Sequence, residues 1–531
     1  MRRYLIIFTL LLTTVEISAQ RLDAQGILMN RDIMMLSEMT NISQSSFQYG
    51  TARSMALSGA ITSLGGDASS MMVNPAGLGM YRSTEFTFTP MVSVNRSLGE
   101  GIGGDNGDTP FALSNFAAVF NTMSSPKGKF LTFNIGLGAN KISDYNYSYT
   151  TESQGCSSSI ANIFSEQLTA AGVSIEDLYG VDYPNWDFFP SNLYGAALGY
   201  KGGLTSSDDN VWSSTWLNPE ATVDQKLSVD SEGSAWEFDI SMGGNIDNKL
   251  YFGATLGIQS IQQRIDLIYE EEYIGNSAYG GESDYLRSSY YSQAILTSGS
   301  GINAKFGVTY RPIESVRIGV SYHTPTYYNL DRSYQAAVGS LSSDVVMGIS
   351  TAIAEYSPLL EDMGSNRWRY RSSGKLLAGA SFTFAKRALI AFDYQLDQYG
   401  NTTIRNTPTG IPEEFYNAGE VYQDQHTFKV GLEFKPTPQV ALRLGGAWSS
   451  DMIRDVTALY DMPTLNRTAQ GSVGIGVALS SSMALDLTYM ARYNEYSDYT
   501  IFYGESATAQ SGDYWLDIWQ HNIALTMSIR L

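Results

Sequence analysis

Charge is scarce in this chain. Asp, Glu, Lys and Arg make up 16% of its 531 residues, against roughly 25% in an ordinary soluble protein. Cysteine is nearly absent. The lone Cys156 excludes a disulfide framework and any cysteine-clustered zinc or iron–sulfur centre. Histidine is almost as rare, with His323, His426 and His521 on separate segments and no Gly-x-Ser-x-Gly elbow beside them. A nucleophile-and-base site has nothing to be built from, so no catalytic residue, metal site or cofactor is expected. No stretch reaches the ~18 consecutive apolar residues of a membrane-spanning helix. Positive charge is also in deficit, 33 Lys and Arg against 53 Asp and Glu for a net −20, which leaves no basic footprint for nucleic acid.

Glycine and aromatics take the place of charge. There are 50 glycines and 35 tyrosines, and aromatics reach 12%, too many for a disordered chain. Residues 1–20 carry Arg2 and Arg3, an apolar stretch from Tyr4 to Val15 and the small-residue site Ile17-Ser18-Ala19, the layout of a cleaved signal peptide. From residue 84 onward the pattern has period two. Ile523, Leu525, Met527, Ile529 and Leu531 share one face of the last run, while Asn522, Ala524, Thr526, Ser528 and Arg530 share the other. Period two means strand.

Fourteen such runs follow one another between Thr84 and Leu531. Short connections (124–128, 247–248, 311–315, 385–386, 435–438, 480–482) alternate with long ones (96–109, 151–222, 270–284, 336–368, 405–421, 454–466, 503–513). An even number of strands, short turns at one end, long loops at the other and one uniformly apolar face predict a 14-stranded antiparallel transmembrane β-barrel of all-β class. Only closure satisfies every backbone group in lipid. The pattern divides the chain into 1–20, a signal peptide; 21–83, a segment outside the strand pattern; and 84–531, the barrel. It predicts an integral protein of a Gram-negative outer membrane, in contact with its lipid, with both chain ends on the periplasmic side.

The segment Gly59 to Leu78 (GAITSLGGDASSMMVNPAGL) resembles the N-terminal signature of the FadL/TodX family of outer-membrane transporters for hydrophobic compounds. The matching positions are Gly59, Ala60, Asp67, Asn74, Pro75, Ala76, Gly77 and Leu78. The resemblance implies that residues 21–83 form a small N-terminal plug, a hatch that holds these positions inside a fourteen-stranded barrel. It implies that a hydrophobic small molecule enters at the outer mouth, and that movement of the hatch releases it, often sideways through a kinked strand. Gly136 and Gly138 on the third strand mark one place for such a bend, although glycines there more readily make room for the hatch. The large insertions fall in the second and fourth outside loops, where the family typically uses the third and fourth.

Three loop segments have helical spacing. Ser157 to Ala171 places Ile160, Ile163, Phe164 and Leu168 on one face, Asp344 to Tyr356 does so with Val345, Val346, Ile349 and Ile353, and a short helix starts at Ser174 with Asp177 as its capping partner. Val345, Ile349 and Ile353, with the residues of the first segment, form either a packed loop core or an apolar lid over the barrel mouth. Thr51 to Ser63 predicts a helix ending at Gly65-Gly66. Glu270-Glu271-Glu272 reads as a solvated acidic loop. Trp186, Phe188, Phe189, Trp212 and Trp216 in loop 151–222 could serve a protein partner. This gives a second function class: a non-transporting barrel acting as scaffold or shuttle subunit of a secretion or surface-assembly complex.

Overall fold

The computed structural model describes residues 27–28, 36–44, 49–99, 104–105, 111–125, 128–179, 193–209, 211–214, 220–276, 284–344, 348–356, 367–406, 418–454, 463–502 and 511–531. The signal-peptide segment 1–20 lies outside them. Fourteen strands form the barrel: β1 (Glu85–Gly99), β2 (Phe111–Ser124), β3 (Phe130–Asp144), β4 (Thr222–Ile246), β5 (Leu250–Ile274), β6 (Asp284–Ile313), β7 (Val316–His323), β8 (Lys375–Phe384), β9 (Ala388–Asp397), β10 (Gln425–Phe434), β11 (Val440–Ser449), β12 (Leu465–Ala478), β13 (Met483–Tyr496) and β14 (Leu516–Arg530). Each pairs antiparallel with the next, and the register Glu85↔Arg530 to Gly99↔Leu516 joins β14 back to β1. No edge is left.

Burial runs opposite to that of a soluble protein. On β4 the outward Phe238 and Ile240 are 50% and 53% exposed, whereas the inward Glu237 and Asp239 are 2% exposed. The outward apolar stretch of β5 runs from Leu250 to Ile258 and gives way to Ser260, Gln262 and Arg264. That length matches the 9–11 residues of a tilted strand crossing a bilayer. β5 and β6 continue far beyond it, to 25 and 30 residues.

Several expected loops are therefore strands that run on outside the apolar belt. Gly348–Tyr356 is strand, not the helix expected from Asp344 to Tyr356. It pairs with Tyr327–Asp344 from Ala336↔Tyr356 to Asp344↔Gly348. The β-branched Ile349, Thr351 and Ile353 suit a pleated surface, and the neighbouring strand supplies the ladder that a lone helix lacks. Val345 lies outside the described residues. The other two helical segments form as expected, as Ile160–Ala170 and Ile175–Tyr179. With Tyr194–Lys201 they cover the inner side of the strand extensions and build an outer apolar core around Phe164, Leu198, Leu227, Leu267 and Val338.

Residues 49–82 pack inside the barrel. The helix expected from Thr51 to Ser63 is one turn long, Ala52–Ala56, because Ser58 and Gly59 take left-handed backbone angles (φ 49° and 75°). Leu531 lies with the short turns. Ile27 and Leu28 lie at the opposite end, where their backbone N–H groups donate to Thr500 and Ile501 (2.9 and 3.1 Å).

Candidate functional site

The signature residues are stitched to one another and to the wall. Asn74 accepts from the Ala76 N–H (3.1 Å) and donates to the Thr62 carbonyl (2.6 Å) and to Thr309 Oγ1 of β6 (3.2 Å). It caps the 3-10 turn Pro75–Met80, which Pro75 opens. Asp67 accepts from Thr51 Oγ1 (2.8 and 2.9 Å) and the Ser69 N–H (2.9 Å). Gly77 has no room for a side chain: a Cβ would stand 2.4 Å from Ser70 Oγ. Ala60 and Leu78 are fully buried, and Gly59 supplies the positive φ at the end of the short helix.

The barrel wall is relieved where this segment touches it. A Cβ on Gly136 would meet Met71 Sδ at 2.6 Å, and one on Gly138 would meet Met71 Cε at 2.8 Å. Both glycines keep ladder partners on both sides, Val119 and Ser241 for one, Ala117 and Asp239 for the other. The same relief recurs at Gly307, where a Cβ would stand 1.9 Å from Asn74 Oδ1, and at Gly253, 2.3 Å from the Pro75 carbonyl. Charges complete the seat. Asp393 accepts from the Thr62 N–H (2.7 Å), and Arg53 pairs with Glu433 (3.4 Å), which also holds Arg443 (2.7 Å). His323 is buried and its Nε2 lies 2.9 Å from the Val73 carbonyl; donation to that carbonyl satisfies the ring. His426 and His521 lie outside the lumen, each 2.8 Å from a tyrosine hydroxyl.

Above residues 49–82 the wall parts. The ladder between β2 and β3 ends at Asn115↔Asn140. Beyond it β3 keeps only its β4 partner, slips register between Lys141 and Ser143, stops at Tyr145-Asn146 and resumes as Tyr147–Cys156 on β4. Among the described residues no ladder bond joins Phe111–Ser114 to Lys141–Asp144. The two asparagine pairs Asn115–Asn140 and Asn95–Asn146 bound the gap below and above.

A cavity of about 90 Å³ faces this gap. Ile42, Tyr49, Ile142, Tyr145, Ile265 and Tyr496 supply its apolar wall, and Arg492, Gln263 and Asn494 its polar one. Tyr49 is 1% exposed and lies between two cations, with Lys141 Nζ 5.9 Å and Arg492 Cζ 5.1 Å from its ring centre. Ligand pockets usually measure ~300–1,000 Å³, so most of this chamber is already filled.

The filling is the chain's own N-terminal segment, whose role the sequence did not reveal. Helix α1 (Leu36–Ser43) crosses the chamber. Glu38 makes a two-point ion pair with Arg332 (2.6 and 3.1 Å), both buried. Asn41 exchanges bonds with the Pro463 carbonyl and the Leu465 N–H (3.0 and 3.1 Å). The Ile42 and Gln44 carbonyls accept from Tyr145 and Ser143 (both 2.6 Å), at the point where β3 leaves β2. The only signal in the sequence is the apolar spacing Leu36, Met39, Ile42.

Ile160, Ile163, Phe164 and Leu168 are buried in the outer core, with Phe164 edge-on to Tyr291 (5.7 Å), and none of them lines the cavity. Ile349 and Ile353 stand opposite Ser343 and Gly339 in their ladder. Trp212 is buried, its indole N–H on the Val173 carbonyl (2.8 Å). The other four loop aromatics lie outside the described residues.

No family model and no curated protein matches this chain. Among solved structures it is similar to the toluene transporter TbuX of Ralstonia pickettii (15% identity, 91% of this chain and 99% of that one, TM-score 0.49). It is similar to the toluene transporter TodX of Pseudomonas putida (13%, 92% and 100%, 0.49) and to a FadL homologue of Pseudomonas aeruginosa (11%, 91% and 99%, 0.46).

Proposed function

We propose that this chain is an outer-membrane channel that passively admits hydrophobic small molecules, long-chain fatty acid-like or aromatic, and that its N-terminal segment controls passage. The observation that carries the reading is a tyrosine- and isoleucine-walled chamber placed against a gap in the β2–β3 ladder. An apolar solute gains little from an aqueous pore, whereas a side exit keeps it out of water. Downward passage is opposed by the hatch and by a buried polar layer in which Lys305 pairs with Glu237 and Asp239, since parting such a pair strands a buried charge. Residues 21–83 then act as the plug and 84–531 as the barrel, with the short turns facing the periplasm.

The test is uptake of monoaromatic hydrocarbons and long-chain acids by cells with and without the protein. Restoration by the full chain, and loss with Ile142→Trp plus Ile265→Trp in a barrel that still resists heat, is the expected result. Unchanged uptake of every apolar solute in cells lacking the protein would overturn the reading.

A further inference from the structure

The charge of this protein is segregated by end. Beyond the apolar belt on the long-loop side, four exposed cations have carboxylate partners. Lys226 pairs with Glu270 (3.5 Å), Arg264 with Asp266 (2.7 Å), Arg367 with Asp331 (3.3 Å) and Arg467 with Glu495 (2.6 Å).

The short-turn rim is different. Lys129, Lys249, Arg311, Lys386, Arg387 and Lys435 stand on or beside the short turns, and every short turn except Leu479–Ser482 carries at least one of them. Arg82 adds charge at the 247–248 turn, where it bonds Asn248, while Arg530, where β14 meets β1, pairs with Glu85 (2.6 Å) and Lys435 lies 3.7 Å from the buried Glu433. The exposed carboxylates at this level are Asp247 and Glu314. Asp247 is only loosely paired, 3.8 Å from Lys249, and Arg311 bonds the Glu314 backbone carbonyl rather than its carboxylate. Lys129, Lys386 and Arg387 have no carboxylate partner among the described residues. A chain of net charge −20 thus ends in a rim of positive sign.

The rim follows the contact line with lipid. Five of these six cations sit one or two residues from an outward apolar side chain: Lys129 by Phe130, Lys249 by Leu250, Arg311 by Tyr310, Lys386 by Phe384 and Lys435 by Phe434. Long cationic side chains at such positions extend to the headgroup layer. A protein partner would call for a patch on one side; a ring around the circumference matches a layer of lipid.

We propose that the short-turn rim is a binding surface for anionic phospholipid headgroups of the leaflet it faces, holding them as a ring around the barrel. Each cation near an anionic membrane surface is attracted to it, and the attraction fades within a screening length. The inference rests on the placement of the barrel in the membrane, not on transport.

The test is the composition of lipid retained when the full chain is reconstituted in phosphatidylethanolamine containing a minor fraction of phosphatidylglycerol, then extracted in nanodiscs and read by mass spectrometry. Phosphatidylglycerol should be enriched about threefold over bulk. About 0.5 M salt, where the screening length is near 4 Å, should erase the enrichment. A variant with Lys129→Gln, Lys249→Gln, Arg311→Gln, Lys386→Gln, Arg387→Gln and Lys435→Gln should return to the bulk ratio. One with Lys226→Gln, Arg264→Gln and Arg367→Gln at the other end should not. Enrichment that survives the six substitutions overturns the proposal. So does a bulk ratio in the unmodified protein, including the case in which an acidic protein is found on the rim instead. Uptake of apolar solutes by the six-residue variant reports on transport separately.

Discussion

Glu271 stands between two exposed glutamates but is itself 2% exposed. It accepts from Ser159 Oγ (2.8 Å), the Ile160 N–H (2.9 Å), and the hydroxyls of Tyr269 (2.6 Å) and Tyr273 (2.8 Å). It thereby fastens the start of the helix Ile160–Ala170 to β5. Three consecutive glutamates look like a solvated loop; in a strand the middle one must face the other way. Burial raises its pKa above 4.5, with the four donors opposing. A carboxyl raised in the folded state stabilises fully below its unfolded value and loses that contribution as pH rises through the folded value. The 157–214 insertion should therefore be cut faster by an acid-tolerant protease at pH 8 than at about pH 4, below the unfolded value, and Glu271→Gln should flatten that dependence. An unchanged slope in the variant would remove Glu271 as the cause. Gly307→Ala tests how residues 49–82 are seated against the wall. Its methyl would press on Asn74 Oδ1, a clash that typically costs about 1–3 kcal/mol, read as an earlier thermal transition. Glycine-to-alanine at Gly471, which faces open space, should leave that transition in place.

At the scale of elements, α1 and the parted β2–β3 ladder are one device. The helix is short, and isolated helices of this length are marginal in water. It is held by what it touches. The Glu38–Arg332 pair is its firmest anchor, and removing one partner leaves a buried charge uncompensated, about 3–5 kcal/mol. Glu38→Ala should accordingly speed amide exchange across Leu36–Ser43 by orders of magnitude while the β5–β6 ladder keeps its protection. Glu38→Leu with Arg332→Met should restore protection, since a packed apolar pair can replace a buried ion pair. If the double variant exchanges as fast as the single one, the ion pair is not what seats the helix.

The whole molecule has two layers. The barrel is tied by a closed ladder around the stitched segment 49–82, and the outer layer by an apolar core between strand extensions and helices. Regions that open independently exchange at different levels. Amides of β7 and β8 should outlast those of Tyr327–Asp344 and Tyr194–Lys201 under mild denaturant, and one uniform rate would show a single cooperative unit. The barrel was legible in the chain because lipid and lumen impose period two on every strand, so Ile523 to Leu531 announce their faces without help. The local shape of Asn74 to Leu78 was legible, since proline, glycine and a capping asparagine leave few conformations. The outer layer was less so. Ile349 and Ile353 carry a helical spacing that also fits a strand, and only the free edge of Tyr327–Asp344 decided between them. Sequence alone determined which residues alternate, how many strands close the ring and where the rim cations fall, because these follow from local periodicity and chain order. Tertiary structure decided that Glu271 turns inward, that Gly136 and Gly138 seat Met71, and that α1 fills the chamber. Each depends on contacts between segments tens to hundreds of residues apart, which no local pattern encodes.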